Sequence, residues 1–410
     1  MKLSLFIVNR LYLSPGMFGF GRLATYDYFA HVERALTRRF ADAGKPLESH
    51  VVDVSPTASI RRRAVRLAEL VAKTSEDGKG TIHLLGHSTG GLDARLVASP
   101  SARLPTAREN LAWVSRLRSV TTMSTPHYGT PLATFFATVS GQRMLYAVSA
   151  LTFIGLSLGA PPLAAASALV VAIGRLDRMI GVEVRILDRT TDALLGVLEP
   201  AASMEVRGYL DGIRRDQGAM IQLTPEAMDL FLAGVEDRAG VHYQCTCAQA
   251  PPPSARKLAS SLGGPWKALS STIFTTMYGI TARYDERYPC ASPDPGDAVG
   301  DALRKAFGRM PGARANDGVV PVLSQVWGHV AWAGYADHLD VLGHFPGEVT
   351  PGRSLWKSLL GRSDATLAPD VRPGAADSRH VDWLRSGAGF DERAFGGLMD
   401  ALASGMLASC

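Results

Sequence analysis

Cysteine is scarce in this 410-residue chain and poorly spaced for cross-linking. There are four, Cys245, Cys247, Cys290 and Cys410, with no C-x-x-C pair. That excludes a zinc ribbon and a disulfide framework at this size. Cys245 and Cys247 share one face of any strand and do not readily bond each other, so a bridge from either to Cys290 is the pairing left open. Lysine is scarce beside arginine, 8 against 35, with the basic residues scattered. The net charge of +5 and the pI near 9.0 therefore read as composition bias, and no nucleic-acid partner is expected. In the densest run Arg61, Arg62, Arg63 and Arg66 alternate with apolar residues, which reads as the solvated face of an amphipathic helix. The N-terminus, MKLSLFIVNR, has too short an apolar stretch and no small-residue cleavage site for a signal peptide. The cytoplasm is therefore favoured, with an atypical export route left open. Neither an internal repeat nor a low-complexity linker is present. With 46% hydrophobic and 20% charged residues, the chain is not disordered.

What is present begins as alternation. Strand-like segments at 11–13, 50–54, 81–85 and 119–123 are separated by helix-like ones. In the first helix Phe29, Val32, Leu36 and Phe40 recur at helical spacing and Gly44 closes it; Ser55-Pro56 opens the second. Single helices between strands imply βαβ units and a parallel sheet covered on both faces. The alternation stops at about 132 and resumes at the strand-like GVHYQCTC, 240–247. Between them, residues 144–174 carry no charge, but Pro161-Pro162 and three glycines split the run. Two apolar helices forming a cap or lying on a lipid surface fit better than a membrane span. A second helical insertion is expected at 262–309, further strands at 319–323 and 328–332, and an outer, mixed tail after 355.

Chemistry concentrates at Gly86-His87-Ser88-Thr89-Gly90-Gly91, directly after the strand TIHLL. This satisfies G-x-S-x-G in a strand–turn–helix context, where a sharp turn presents a serine hydroxyl above the sheet. A serine needs a base, and the base an orienting acid. Asp317 in Asn316-Asp317-Gly318 is the candidate acid. His338 in DHLD is the candidate base, with His344 and His380 as competitors. Two amides must meet the developing oxyanion. One is that of Thr89; the other comes from Met17 or Phe18 in the glycine-rich loop SPGMFGFG. That loop lacks the spacing and the Lys-Ser/Thr pair of a phosphate loop, so nucleotide binding is excluded.

Taken in order, PGMFGF (15–20), GHSTGG (86–91), STPHYGTPLA (124–133), NDGVV (316–320) and DHLD (337–340) resemble the motifs of bacterial triacylglycerol lipases. The resemblance covers the sheet, about half the chain. It implies an α/β-hydrolase fold, a mostly parallel central sheet with helical cap or lid insertions. It also implies Ser88 as nucleophile, Asp317 as acid, His338 as base, and Met17 and Thr89 as oxyanion donors; the 21-residue Asp317–His338 spacing demotes His344. Phe18 and His87 are then candidate substrate contacts. Pro15 stands where the lipases usually have His. Those lipases bind a structural calcium through the Asp of the base loop, with a Gln four positions later. Here the pair is Asp340 and His344. No cofactor is thus expected to be required, and Asp340 reads as a loop hydrogen-bonding group, with calcium at Asp340 as the alternative.

The implied function is hydrolysis of lipid or other acyl esters through an acyl-enzyme. Its alternatives are an acyltransferase with an alcohol acceptor and a non-catalytic protein of lipid surfaces. The expected organisation is one α/β domain. Core segments at 1–131, 239–250 and 311–355 are interrupted by a helical cap at 132–238 and a second insertion at 251–310. A C-terminal extension at 356–410 follows.

Overall fold

The computed structural model describes residues 8–17, 22–23, 26–55, 57–138, 141–142, 144–145, 148–149, 204, 207–208, 211–213, 215–254, 265–343, 384 and 386–410. At 22–23, 26–27 and 265–269 it describes the backbone alone. Most of the uncharged run, together with Phe18, His344 and His380, lies outside these residues.

Six strands form the main sheet: β1 (Asn9–Ser14), β2 (Leu47–Val51), β3 (Ile82–His87), β4 (Leu117–Met123), β5 (His242–Gln249) and β6 (His329–Tyr335). All neighbours are parallel, in the order β2-β1-β3-β4-β5-β6. The direction of winding reverses at β1, which pairs with β2 on one side and β3 on the other. In such sheets the crevice beyond the strand ends at the reversal is where ligands bind.

Every residue of β1 and of β3 is buried, as expected for central parallel strands covered on both faces. Leu11 and Leu13 of β1 join the same apolar cluster as α1 (Ala30–Asp42), whereas Tyr12 joins that of α2 (Ile60–Thr74) and α3 (Thr89–Ala98). In α1, Val32, Leu36 and Phe40 form the buried stripe. The helix α2 starts later than Ser55-Pro56 suggested, because the Ser59 hydroxyl accepts the Arg62 amide and caps it (3.3 Å).

Further helices follow: α4 (Pro131–Phe136), α5 (Gly218–Gln222), α6 (Pro225–Gly234), α7 (Pro265–Thr281) and α8 (Asp297–Phe307). The helices α7 and α8 lie between β5 and β6 in the chain. Among the described residues no helix is long and apolar enough to cross a membrane. All four thiols are free, and Cys245 and Cys247 pack with Leu303 and Phe307 of α8 rather than pairing with Cys290.

Three expectations are corrected. The apolar run 319–323 is not a strand, because the Asp317 carboxylate takes the amides of Val319 and Val320 and a 3-10 turn follows at Val322–Gln325. The tail is not merely an outer layer. Its helix α9 (Glu392–Ala408) buries Phe395, Leu398, Met399, Leu402 and Met406 in the cluster that α1 also joins. Finally, Arg63 is not solvated; it is 1% exposed.

Candidate active site

Ser88 sits between β3 and α3 with φ 54° and ψ −127°. A non-glycine residue there is strained, at a cost of about 1–3 kcal/mol. The neighbourhood enforces the turn. A Cβ on Gly86 would lie 2.1 Å from the Gly90 carbonyl carbon, and one on Gly90 would lie 2.0 Å from the Ser14 carbonyl oxygen. Both positions must therefore be glycine for β3, α3 and the end of β1 to meet. The Ser88 amide donates to the Met123 carbonyl at the end of β4 (2.8 Å), tying the elbow to the next strand.

The loop after β1 arrives at the same place. A Cβ on Gly16 would lie 2.7 Å from Ser88 Cβ, so this backbone runs directly against the nucleophile position. Met17 is buried. Thr89 opens α3, where a first-turn amide has no intrahelical acceptor and the helix dipole favours negative charge.

Asp317 and His338 meet although 21 residues separate them. His338 Nδ1 and Asp317 Oδ2 are 2.8 Å apart, with the side chains 1% and 0% exposed. An ionised carboxylate only accepts, so Nδ1 carries the hydrogen and, in the neutral ring, Nε2 is the acceptor. That Nε2 is buried and has no hydrogen-bond partner among the described residues. The other carboxylate oxygen, Oδ1, accepts the amides of Val319 (2.9 Å) and Val320 (2.7 Å). The two loops are pinned together by the His338 amide donating to the Asp317 carbonyl (3.0 Å).

His87 joins the nucleophile turn to the base loop. Its ring lies 4.7 Å from that of His338, centre to centre. Its Nε2 is 2.8 Å from the His338 carbonyl, which can only accept, so Nε2 bears the hydrogen. Nδ1 then accepts from the Tyr28 hydroxyl (2.7 Å). Burial holds His87 neutral, pushing its pKa well below the ordinary value. With both nitrogens engaged and 1% exposure, His87 braces His338 rather than presenting a free group to a substrate.

A buried pair that the sequence reading did not single out clamps the loop after β1. Arg63 of α2 and Asp93 of α3 form an ion pair (2.8 Å) with neither side chain exposed. The Ser14 hydroxyl donates to Asp93 (2.7 Å), and Arg63 donates to the Pro15 carbonyl. The signal was available, because Arg63 falls on the stripe of Ile60, Ala64, Leu67, Ala68 and Val71, unlike Arg61, Arg62 and Arg66.

Asp340 helps tie its loop together. Its carboxylate accepts the Asp337 amide (2.8 Å), while Asp337 accepts the amides of Leu339 and Asp340. No group of three His, Cys, Asp or Glu suited to a metal occurs among the described residues. Asp340 thus serves as a hydrogen-bonding group of its loop.

No protein-family model matches the chain. Over 88 residues it is 39% identical to a triacylglycerol lipase of Vibrio cholerae, a match covering 21% of this chain and 26% of that one. Over 121 residues it is 30% identical to a triacylglycerol lipase of Pseudomonas fragi, covering 30% and 36%. The matches thus span about a quarter to a third of those relatives. Among solved structures, EstA from Clostridium botulinum aligns over 82% of this chain and 83% of its own, at 18% identity and a TM-score of 0.46.

Proposed function

We propose that this chain is a serine ester hydrolase acting on lipid or other acyl esters. The observation that supports the reading is the buried His338–Asp317 pair, whose outer nitrogen has no partner among the described residues, on a loop joined through His87 to the strained Ser88 elbow. In this reading Ser88 Oγ attacks the ester carbonyl as His338 Nε2 takes its proton, and Asp317 stabilises the imidazolium. The oxyanion of the tetrahedral intermediate accepts hydrogen bonds from the Met17 and Thr89 amides. On collapse, His338 returns the proton to the departing alcohol, leaving an acyl-Ser88 ester. Water activated by His338 then releases the acid.

The similarity over part of the chain to proteins named triacylglycerol lipase supports an acyl-ester substrate.

The test is hydrolysis of p-nitrophenyl esters by the Ser88→Ala variant. Turnover is expected to fall by roughly 10⁴-fold or more with the melting temperature preserved. Undiminished turnover in that variant overturns the nucleophile assignment.

A further inference from the structure

We propose that Gln325, a residue outside every motif above, is a positioning residue that holds the Asp317 carboxylate in register with His338. The proposal rests on the Ser88–His338–Asp317 reading.

Gln325 closes the 3-10 turn Val322–Gln325 and is 0% exposed. Its amide orientation is fixed by a reciprocal pair with one residue of β5. Oε1 accepts the Ala248 amide (2.7 Å) and Nε2 donates to the Ala248 carbonyl (3.0 Å). A flipped amide would oppose like groups at both contacts. The same Nε2 also reaches the Val320 carbonyl (3.2 Å) and Asp317 Oδ2 (3.3 Å). That oxygen is the one that faces His338 Nδ1.

The geometry gives each Asp317 oxygen its own duty. Oδ1 is held by two amides of its own loop, which fix where the carboxylate sits. Oδ2 has two partners, His338 and Gln325, and only Gln325 refers it to the sheet. The path runs from β5 through Ala248 and Gln325 to Asp317 and then to His338. The base loop is linked to the same strand end, where the Ala336 amide donates to the Gln249 carbonyl (3.1 Å). Acid and base are thus both positioned against the end of β5. Without Gln325 the loop amides still hold Oδ1, but Oδ2 keeps His338 as its one partner among these contacts and loses its link to the sheet.

The test uses two variants of the full chain. Gln325→Met removes both the donor and the Ala248 acceptor. Gln325→Glu keeps an acceptor for the Ala248 amide but sets a second carboxylate against Asp317 Oδ2 in place of the Nε2 donor, so it perturbs the pair by charge where Gln325→Met does so by loss of the bond. Both should lower kcat by roughly 10- to 100-fold, the scale of a small misplacement of a catalytic group, with KM within about twofold. Both should also shift the downfield proton resonance of the His338 Nδ1–H, which reports the bond to Asp317 directly. A lowered melting temperature with wild-type kcat and an unshifted resonance in both variants would show a merely structural role and overturn the proposal. The resonance separates this outcome from failure of the underlying reading, because it reports the Asp317–His338 bond whether or not the chain hydrolyses esters.

Discussion

Arg63 differs from Arg61, Arg62 and Arg66 in one respect, its place on the buried stripe of α2, and that alone changes its chemistry. Its guanidinium holds the Asp93 carboxylate and the Pro15 carbonyl together, so α3 and the loop after β1 share one anchor. Breaking a buried pair from one side leaves an uncompensated charge and costs about 3–5 kcal/mol. Arg63→Met is therefore expected to lower stability by that order in chemical denaturation and to reduce kcat/KM. The double variant Arg63→Met/Asp93→Leu should recover much of the stability, but not the activity, because the Pro15 carbonyl still lacks its donor. Full recovery of both would show that the pair does not position the loop. Local spacing distinguished Arg63 in the sequence. Nothing local distinguished Gln325 or Tyr28, whose partners Ala248 and His87 lie 77 and 59 residues away.

At the scale of elements, the elbow was legible because strand, turn and helix are contiguous, and glycine at 86 and 90 reports a close approach by itself. The loop at 316–320 was only half legible. NDG marked the turn, but the following apolar run looked like a strand, since side-chain capture of two amides has no periodicity. The oxyanion loop gives a direct test. Gly16→Ala places a methyl 2.7 Å from Ser88 Cβ, so ester turnover should fall at least tenfold, with stability lowered by about 1–3 kcal/mol from the overpacking. Unaltered turnover would separate this loop from the reaction.

The strand β3 also carries His83, whose pKa burial pushes down to about 4. As pH falls from 6.5 toward 4, the unfolded chain protonates first. Stability fully present above pH 6.5 is therefore lost across that window, by about 3 kcal/mol for this group. Burial acts in the same direction on His87 and His127. Equilibrium unfolding between pH 7 and 4 should show a smaller loss in His83→Gln than in the parent chain. Equal losses would remove His83 as a contributor.

At the scale of the molecule, Ser88 and His338 lie 250 residues apart in sequence, yet His87, beside Ser88, packs on His338 with ring centres 4.7 Å apart, because β3 and β6 belong to one parallel sheet. The order of motifs made that legible, since acid and base loops serve a nucleophile only from the same sheet edge. The C-terminal helix α9 was not legible as a core layer. Its apolar residues reveal a buried face, yet nothing in the sequence says that it packs with α1 from the far end of the chain. The proposed chemistry requires Ser88 to be the one activated serine. Labelling the intact chain with a fluorophosphonate and locating the adduct by mass spectrometry tests this most directly. The account predicts one adduct, on Ser88, absent in Ser88→Ala and formed far more slowly in His338→Ala and Asp317→Ala. An adduct at another residue, or labelling that persists undiminished in Ser88→Ala, would contradict it.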